Sequence, residues 1–329
     1  MTTSHSPSHF VRGAAPVGVG SSVPDQVVHN AAIAERLGVS EEWLQRRTGT
    51  SVRHVAAPGE RLDHFAAEAA RAALLDAGIE PSAVDTVLVA TTSAEEMSPH
   101  AAPMVAHALG IRAAAIDLND ACVGFVAALT MGAAMIEARR AGTVVVVGAD
   151  CLYRYLDPDD PQSAMLFGDG AGAVVLCAVE GTSQVGPAVH HSAGSESALI
   201  QLDRDERKIR MDGPAVFRHA VRMMAEVTEE VLAAAGLTEA DVDIFAYHQA
   251  NRRILEAVGR RLQLDPLKVL DVIDRYANTS AASLPIALAD AAASGRLPPG
   301  AKVFLGAFGA GLVWGGTVLT WGRLAASLG

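Results

Sequence analysis

The feature that most constrains the fold of this 329-residue chain is an internal repeat with a spacing of 158 residues. Residues 77–85, AGIEPSAVD, correspond to residues 235–243, AGLTEADVD. The same spacing aligns VVVVGA with KVFLGA and sets Cys122 opposite Ser280. Because one shift relates three separate segments, the chain is predicted to contain two fused copies of one α/β unit.

Each copy carries the same order of predicted elements. An amphipathic helix comes first, at 62–77 and at about 214–235, and an Ala-Gly pair ends it as a glycine cap does. A buried strand follows, then a small-residue helix at 122–140 or 281–294, and then another buried strand. Short apolar strands that alternate with helices predict an α/β fold in which helices cover both faces of the sheets.

The repeat also predicts where the chain divides. Residues 11–180 are expected to form the N-terminal half and residues 181–329 the C-terminal half, with a linker near 180–212, where glycine, serine and charged residues cluster. Residues 1–10, MTTSHSPSHF, lack both a basic and an apolar segment. They are therefore predicted to be a loose terminus and not a signal peptide.

Composition disfavours several classes of function. A net charge of -11 and a pI near 5.4 argue against a nucleic-acid-binding protein, which normally carries a basic face. The three cysteines have neither the spacing of a zinc site nor the number that a disulfide framework needs, so no metal is predicted. No apolar run approaches the roughly 20 residues of a membrane-spanning helix. A reducing cytoplasm is the expected compartment.

Cys122 is the first candidate for chemistry. It follows a predicted strand and turn and precedes a small-residue helix, so its thiol is expected at or just before a helix N-terminus. The partial positive charge there favours the thiolate, which is the form that attacks a thioester. The alternative is that Cys122 is a small buried hydrophobic residue. Cys177 and Cys151 fit that second description.

His248 and Asn278 are the other two candidates. His248 ends an apolar strand, where α/β sheets present functional groups, although it could also be a surface histidine that closes a loop. Asn278 begins NTSAAS and could simply cap the next helix. The repeat brings them together, because equivalent elements meet around a pseudo-twofold axis. The glycine-rich GAFGAGLVWGG lacks a phosphate-loop pattern and is instead expected to approach a reacting carbonyl.

Six segments in order resemble the ketoacyl-ACP synthase III family, and the resemblance spans residues 15 to 322. They are EEWLQRRTG, ACVGF, FGDGAGA, HQANRRI, NTSAASLPIAL and GAFGAGLVWG. The resemblance implies a thiolase fold, which is α/β with two pseudo-repeated halves in a five-layer αβαβα sandwich. It also implies a homodimer that condenses an acyl-CoA with malonyl-ACP and needs no cofactor, acyl-CoA being a substrate.

The resemblance also implies roles for particular residues. Cys122 would accept the acyl group, His248 and Asn278 would assist decarboxylation of the malonyl partner, and the backbone amides of Cys122 and Ala310 would form the oxyanion hole. Residues implied to bind coenzyme A or pantetheine are Trp43, Arg47, Arg154, Gly213, Phe217, Ala250 and Asn251, with Trp43 and Arg154 holding the adenine between them. Residues implied to dock the carrier protein are Arg218, Arg252, Arg253 and Arg260. Each of these arginines could also belong to a solvated helix face.

Some positions depart from the family pattern. Val123 follows the cysteine where alanine or serine is usual. Ser98 stands where some relatives place a bulky aromatic residue that caps the acyl pocket of the partner subunit. The segment 191–213 is shorter than in fatty-acid-priming relatives. These departures suggest a larger acyl group and a secondary-metabolite pathway, whereas Glu95 and Glu96 in the same loop as Ser98 are expected to face solvent.

Three functions from different classes stay open on the sequence alone. The first is decarboxylative condensation, and the second is transfer or shuttling of an acyl group without a new carbon–carbon bond. The third is a non-enzymatic partner of a carrier protein with a vestigial site. Retention of Cys122, His248 and Asn278 favours the first. A degradative thiolase is disfavoured because no second cysteine stands near Ala310.

Overall fold

The computed structural model describes residues 11–203 and 205–322, and the predicted loose terminus at 1–10 lies outside these ranges. Within them, most strands belong to two mixed sheets. The strands are β1 (Arg12–Ser22), β2 (Val27–His29), β3 (Val52–His54), β4 (Thr86–Ala90), β5 (Ala114–Leu118), β6 (Thr143–Cys151), β7 (Asp169–Glu180), β8 (Val185–Ser192), β9 (Ile200–Leu202), β10 (Ile209–Met211), β11 (Ile244–Tyr247), β12 (Lys302–Gly309) and β13 (Val313–Thr320).

The helices are of two kinds, those that cover the sheets and shorter ones in the connections. They are α1 (Asn30–Leu37), α2 (Glu41–Thr48), α3 (Leu62–Ala77), α4 (Ala101–Ala108), α5 (Gly124–Glu137), α6 (Gly213–Ala235), α7 (Arg252–Arg261), α8 (Ile273–Tyr276) and α9 (Ser283–Ala293). Local chemistry fixes the ends of α6, the longest of them. The Asp212 carboxylate accepts the backbone N–H of Ala215 at the start, and Gly236 ends the helix at a φ of 66°.

The two sheets have the same strand arrangement. The first has the order β1-β7-β6-β4-β5, and the second has the order β11-β12-β13-β8. In the first sheet β6 is parallel to β4 and antiparallel to β7. In the second sheet β12 is likewise parallel to β11 and antiparallel to β13. Val269 bridges to Phe245 of β11 and so occupies the place that β5 holds in the first sheet. The predicted repeat is therefore present in the topology.

The spacing of 158 residues relates the elements as the sequence predicted. Shifting β4 by this spacing gives 244–248, against Ile244–Tyr247 for β11, and shifting β6 gives 301–309, against Lys302–Gly309 for β12. The predicted helix at 62–77 is confirmed at both ends, and that at about 214–235 begins one residue earlier. The predicted helix at 122–140 is shorter at both ends, since Cys122 lies in the turn that precedes Gly124.

Three apolar clusters define five layers. One cluster joins α3 and α4 to the outer face of the first sheet. A second places α5 and α9 between the two sheets. A third joins α6 and α7 to the outer face of the second sheet. Each fully buried leucine, valine or phenylalanine in these clusters contributes roughly 1.5–3 kcal/mol of burial free energy.

The predicted linker near 180–212 is partly wrong. β8 lies inside it and forms an edge of the second sheet by pairing with β13. Five of the eight residues of β8 are exposed, and its sequence VGPAVHHS lacks the apolar run of the inner strands. The proposed division at 180 and 181 stays a prediction. It is supported by β7 ending at Glu180 in one sheet and β8 beginning at Val185 in the other.

Candidate active site

A cavity of about 700 Å³ lies where the two halves meet. Cys122, His248 and Asn278 all line it, so the fold brings the predicted sulfur, imidazole and carboxamide to one place. Ala310 lines it as well. Most of the wall is apolar, and the segment 191–213 contributes to that wall through Ile200, Leu202, Ile209 and Met211.

Cys122 lies in a tight turn between β5 and α5. The N–H of Val123 donates to the carbonyl of Asp120 at 3.0 Å, and the N–H of Gly124 donates to that of Ala121 at 3.1 Å. The turn packs against the end of β12, where Gly309 faces the backbone nitrogen of Cys122. The thiol is half-buried at the cavity and precedes the first turn of α5 by two residues, as the sequence predicted.

The surroundings of Cys122 favour its thiol form at rest. Burial raises the pKa of the Cys122 thiol to about 12, and a hydrogen bond from Ser280 acts in the opposite direction. The Sγ of Cys122 and the Oγ of Ser280 are 3.4 Å apart. The charge of the buried Asp150 carboxylate also raises this pKa. The expected preference for thiolate from the helix N-terminus is therefore opposed by desolvation.

His248 continues β11 by one residue. Its N–H donates to the carbonyl of Gly306 at 2.8 Å, and its ring packs edge-on against Phe308. Nδ1 lies 2.6 Å from the Oγ of Ser283, which is the first residue of α9. Burial lowers the pKa of His248 to about 3, so the imidazole is neutral at ordinary pH.

Asn278 is held by its backbone on both sides. Its N–H donates to the carbonyl of Leu166 at 3.0 Å, and its carbonyl accepts the N–H of Gly168 at 3.0 Å. Its Oδ1 accepts the N–H of Ser280 at 2.9 Å. The predicted capping role is only partly right, because this bond closes a short 3₁₀ turn at Ser280–Ala282 and α9 begins later, at Ser283. The amide nitrogen of Asn278 has no protein partner within the described residues, so it can serve a substrate.

Asp150 connects the cavity wall to the Asn278 segment. It is fully buried at the end of β6. Its Oδ1 accepts the N–H and hydroxyl of Thr92 and the hydroxyls of Thr91 and Ser93. Its Oδ2 accepts the N–H of Ala281 at 3.2 Å. One carboxylate thus fixes the segment after β4 and the 3₁₀ turn together.

Six of the residues predicted to bind coenzyme A or pantetheine line the cavity. They are Trp43, Arg47, Gly213, Phe217, Ala250 and Asn251. The Arg47 guanidinium lies 5.2 Å from the Trp43 ring centroid, and the Asn251 side chain donates to the Arg47 carbonyl at 3.0 Å. These contacts connect α2 to the start of α7 at the mouth of the cavity.

The expected exposure of Glu95 is wrong, whereas the adenine-binding role of Arg154 stays a prediction. Arg154 does not line this cavity; its guanidinium donates to the Glu95 carboxylate at 3.2 Å. Glu95 is mostly buried and also accepts the N–H of Leu62 at 2.7 Å. Capping α3 and neutralising Arg154 together explain why Glu95 turns inward. Glu96 is more exposed and pairs with Arg61. Of the residues that follow Arg154 in the chain, Pro161 and Gln162 do line the cavity.

The arginines predicted to dock a carrier protein separate into two pairs. Arg218 and Arg253 line the cavity, and Arg253 lies over the Phe217 ring at 5.2 Å. Arg252 is not part of that lining and donates to Asp271 at 2.6 Å. Arg260 is exposed and lies 3.6 Å from Glu256. Ser98 lies on an exposed loop outside the cavity of its own chain.

Two serines that the sequence interpretation gave no role touch the candidate catalytic groups. Ser280 faces the sulfur of Cys122, and Ser283 faces Nδ1 of His248. The signal for Ser280 was its place exactly one repeat after Cys122. Ser283 carried no such signal, because its contact depends on how α9 packs against β11.

Gly309 supplies a test of how the turn is held. A Cβ at this position would lie 2.8 Å from the Cys122 nitrogen and 3.1 Å from the Ala121 Cβ, so the turn would have to move. We expect Gly309→Ala to slow acylation of Cys122 by about tenfold or more, because the sulfur loses its alignment. Gly259→Ala is the control, since nothing lies within 4 Å of that position. Rapid-quench mass spectrometry measures the rate of acyl-enzyme formation in both variants. Equal rates would contradict the close packing of Gly309 against the Cys122 turn.

The buried imidazole gives a pH dependence of stability with a defined sign. Unfolded His248 has its ordinary pKa of 6.5, whereas the folded value is about 3. The stability that the neutral ring contributes is therefore present above pH 6.5 and is lost as the pH falls towards 3. We expect the free energy of unfolding of the wild type, relative to His248→Gln, to fall by roughly 1 kcal/mol per pH unit below about pH 6. Urea denaturation at several pH values measures this, and a constant difference would contradict it.

Two further findings concern the described part of the chain. No helix in residues 11–203 and 205–322 combines the length and the apolar character that crossing a membrane requires. The same residues contain no cluster of three or more histidine, cysteine or acidic side chains placed to hold a metal ion.

Solved structures share this architecture. The 3-oxoacyl-(acyl carrier protein) synthase III of Pseudomonas aeruginosa PAO1 superposes with a TM-score of 0.90 at 38% identity, covering 95% of this chain and 99% of its own. The priming β-ketosynthase from the R1128 polyketide biosynthetic pathway superposes with a TM-score of 0.90 at 32% identity, covering 98% and 99%. The chain therefore has the α/β thiolase fold predicted from its sequence, with two repeated halves in a five-layer sandwich.

Sequence comparison narrows the class. A family model described as the C-terminal part of 3-oxoacyl-[acyl-carrier-protein (ACP)] synthase III matches residues 232–321, and one for 3-oxoacyl-[ACP] synthase III matches residues 116–194. The β-ketoacyl-[acyl-carrier-protein] synthase III of Rhodospirillum rubrum is 42% identical over 315 residues, which are 92% of this chain and 97% of that protein. The chain belongs to the ketoacyl-ACP synthase III family and is an enzyme of this type.

Proposed function

We propose that this enzyme loads an acyl group from acyl-CoA onto Cys122 and condenses it with malonyl-ACP to give a 3-oxoacyl-ACP. The observation that carries the proposal is that Cys122, His248 and Asn278 line one cavity. Relatives that match nearly the whole chain are named for this activity. Because decarboxylation itself generates the carbanion, the reaction needs no cofactor beyond its two thioester substrates.

In the first step, the Cys122 sulfur attacks the carbonyl carbon of the acyl-CoA thioester. The carbon–sulfur bond to coenzyme A breaks, and the proton lost by Cys122 ends on the departing thiol. The backbone amides of Cys122 and Ala310 stabilise the tetrahedral oxyanion. The contact between Gly309 and the Cys122 nitrogen supports this assignment, because it brings the strand before Ala310 next to that amide.

In the second step, His248 and Asn278 act on malonyl-ACP. The bond to the carboxylate breaks, carbon dioxide leaves, and the electron pair forms an enolate on the thioester. The enolate carbon attacks the acyl-Cys122 carbonyl, and the sulfur of Cys122 leaves. The neutral state of His248 suits this role, since Ser283 can donate to Nδ1 and leave the proton on Nε2 to hold the enolate oxygen beside the Asn278 amide.

The pantetheine arm of either substrate enters along the apolar wall. Trp43 lines the cavity and is the aromatic side chain against which the adenine would stack, with Arg154 as its predicted partner and the Arg47 guanidinium 5.2 Å from its ring centroid. Gly213, Phe217, Ala250 and Asn251 form further parts of the wall. An apolar passage with a few polar groups is typical of sites that bind such ligands.

An acidic carrier protein is the second partner. Arg218 and Arg253 reach the cavity, and Arg252 and Arg260 extend from the same helix region. On a chain of net charge -11, this local basic surface steers an acidic protein towards the mouth. Asp271 and Glu256 reduce the net charge offered by Arg252 and Arg260, so Arg218 and Arg253 carry most of the attraction.

The enzyme works as a homodimer in the cytoplasm. β5 is the edge of the first sheet, and its residue Ile116 is exposed, so this edge can pair with a second copy. The exposed Ser98 would then reach the acyl pocket of the partner subunit and leave it open to a branched, longer or aromatic acyl group. A priming role in a secondary-metabolite pathway follows, and a priming β-ketosynthase among the structural neighbours supports it. Fast turnover of acetyl-CoA with little activity on larger acyl-CoAs would contradict it.

The alternative function is acyl transfer or shuttling without condensation. Malonyl-ACP labelled at its free carboxyl group distinguishes the two. Condensation predicts a 3-oxoacyl-ACP whose formation depends on acyl-CoA, with at least one labelled carbon dioxide released for each molecule of product. Acyl transfer predicts an acylated carrier or acceptor with no carbon dioxide. Release of carbon dioxide in the presence of acyl-CoA, with neither a 3-oxoacyl product nor an acylated acceptor, would contradict both.

A further inference from the structure

The side chain that faces the Cys122 sulfur is the one at the equivalent position of the second repeat. Cys122 and Ser280 are 158 residues apart, and their Sγ and Oγ atoms are 3.4 Å apart, within reach of a hydrogen bond to sulfur. Ser280 is 1% exposed, so water does not compete for its hydroxyl. The described residues offer the sulfur no other polar side-chain contact of this kind.

The position of Ser280 is set by several independent contacts. Its backbone has a φ of 52°, a left-handed conformation that residues other than glycine adopt only when their surroundings impose it. Its N–H is held by Asn278, and the next N–H, that of Ala281, is held by the buried Asp150. Gly148 also packs against the Ala281 carbonyl, where a Cβ would collide at 2.2 Å. The hydroxyl is therefore fixed toward the sulfur.

The usual activating partner of a cysteine is not in place. In cysteine enzymes a protonated histidine often stabilises the thiolate. Here Nδ1 of His248 is engaged by Ser283, the ring is kept neutral by burial, and no hydrogen bond joins His248 to Cys122 within the described residues. The charge of Asp150 acts on the sulfur and opposes a thiolate. Stabilisation of the anion therefore depends on a neutral donor.

We propose that Ser280 is a further catalytic residue, whose hydroxyl donates a hydrogen bond to the Cys122 sulfur as the thiol ionises to attack the acyl-CoA, and again when the thiolate leaves after condensation. Ser280 accepts no proton and forms no bond with substrate. It favours the anionic sulfur, as a charge-assisted hydrogen bond does. This inference rests on the proposed role of Cys122 but concerns only the ionisation of its thiol.

The test measures that ionisation directly, without turnover. Iodoacetamide alkylation of Cys122 is followed by mass spectrometry between about pH 7 and pH 9.5 in the wild type, Ser280→Ala and Ser280→Gly. Both variants lose the hydroxyl, while glycine also relieves the left-handed backbone. We expect both variants to be alkylated about threefold to tenfold more slowly than the wild type at every pH, because a smaller fraction of Cys122 is ionised. A thiolate without the hydrogen bond is more nucleophilic, but this gain is smaller than the loss of ionised thiol.

Controls separate this effect from a structural one. Ser294→Ala removes an exposed serine hydroxyl and should leave alkylation unchanged. Ser283→Ala should slow malonyl-ACP decarboxylation and not alkylation, because Ser283 contacts His248. Wild-type alkylation rates in both Ser280 variants, or a slow rate in Ser280→Ala that Ser280→Gly restores, would overturn the proposal. If the Ser280 variants were alkylated slowly but the wild type catalysed no condensation, the proposed function would be refuted. The hydrogen bond from Ser280 to Cys122 would still be supported.

Discussion

Replacement of Cys122 by alanine is expected to abolish condensation while leaving decarboxylation of malonyl-ACP within about tenfold of the wild type. Removal of a nucleophile costs at least about 10³-fold in turnover, since no other group can hold the acyl intermediate. Decarboxylation survives because His248 and Asn278 are not held by the sulfur. Ser283 and Gly306 fix His248, and the backbone of the 166–168 segment fixes Asn278.

Carbon dioxide release and product formation from malonyl-ACP measure the two activities of Cys122→Ala separately. Cys177→Ala is the matched control, because Cys177 lies in β7 and does not line the cavity. It should retain both activities. If Cys122→Ala still formed a 3-oxoacyl product, another nucleophile would operate. If it lost decarboxylation as completely as condensation, the sulfur would be needed for the geometry of the other two groups.

Asn278→Asp is expected to lower condensation by about 10²- to 10³-fold and to change acylation of Cys122 by less than about tenfold. The substitution keeps the size of the side chain and an oxygen that can accept the N–H of Ser280, so the 3₁₀ turn is preserved. It removes the amide donor and places negative charge where the enolate develops. Loss of one such donor costs about 10²- to 10³-fold in other enzymes.

The two half-reactions distinguish this effect from a loss of fold. Acyl-enzyme formation is measured with acyl-CoA alone, and decarboxylation with malonyl-ACP alone. Asn119→Asp makes the same chemical change at an exposed position three residues before Cys122 and should retain both rates. Wild-type decarboxylation in Asn278→Asp would remove Asn278 from the proposed mechanism. An equal loss in both half-reactions would indicate a structural role instead.

The repeat made much of the fold predictable. A shift of 158 residues carries β4 and β6 onto β11 and β12 to within one residue and α5 onto α9 to within two, because each copy must bury the same faces in the same order. The longer α6 ends where shifted α3 ends but begins seven residues earlier. The repeat also predicted that Cys122, His248 and Asn278 lie close together, since equivalent elements of the two copies are expected to meet around a pseudo-twofold axis. Their catalytic roles stay proposals that the mutants above test.

The errors share a physical cause, which is that side-chain partners far apart in the sequence decide where a polar group points. The resemblance gave Arg154 an adenine-binding role, which stays a prediction, but it gave no sign of the ion pair that Arg154 forms with Glu95. Glu95 was assigned to solvent, but the first N–H groups of α3 draw it inward. The stretch 180–212 was taken for a linker because glycine, serine and charged residues cluster there, yet it contains β8, an edge strand whose residues are mostly exposed. None of these contacts leaves a periodic signal in the sequence.

The site and fate of acylation test the proposed function most directly. The wild-type enzyme is incubated with a mixture of acyl-CoAs, digested and sequenced by tandem mass spectrometry, before and after malonyl-ACP is added. The proposed mechanism predicts one acyl group on Cys122 that disappears on addition of malonyl-ACP as a 3-oxoacyl-ACP forms. Acyl groups on Cys151, Cys177 or a serine instead, or an acyl-Cys122 that malonyl-ACP leaves untouched, would contradict it.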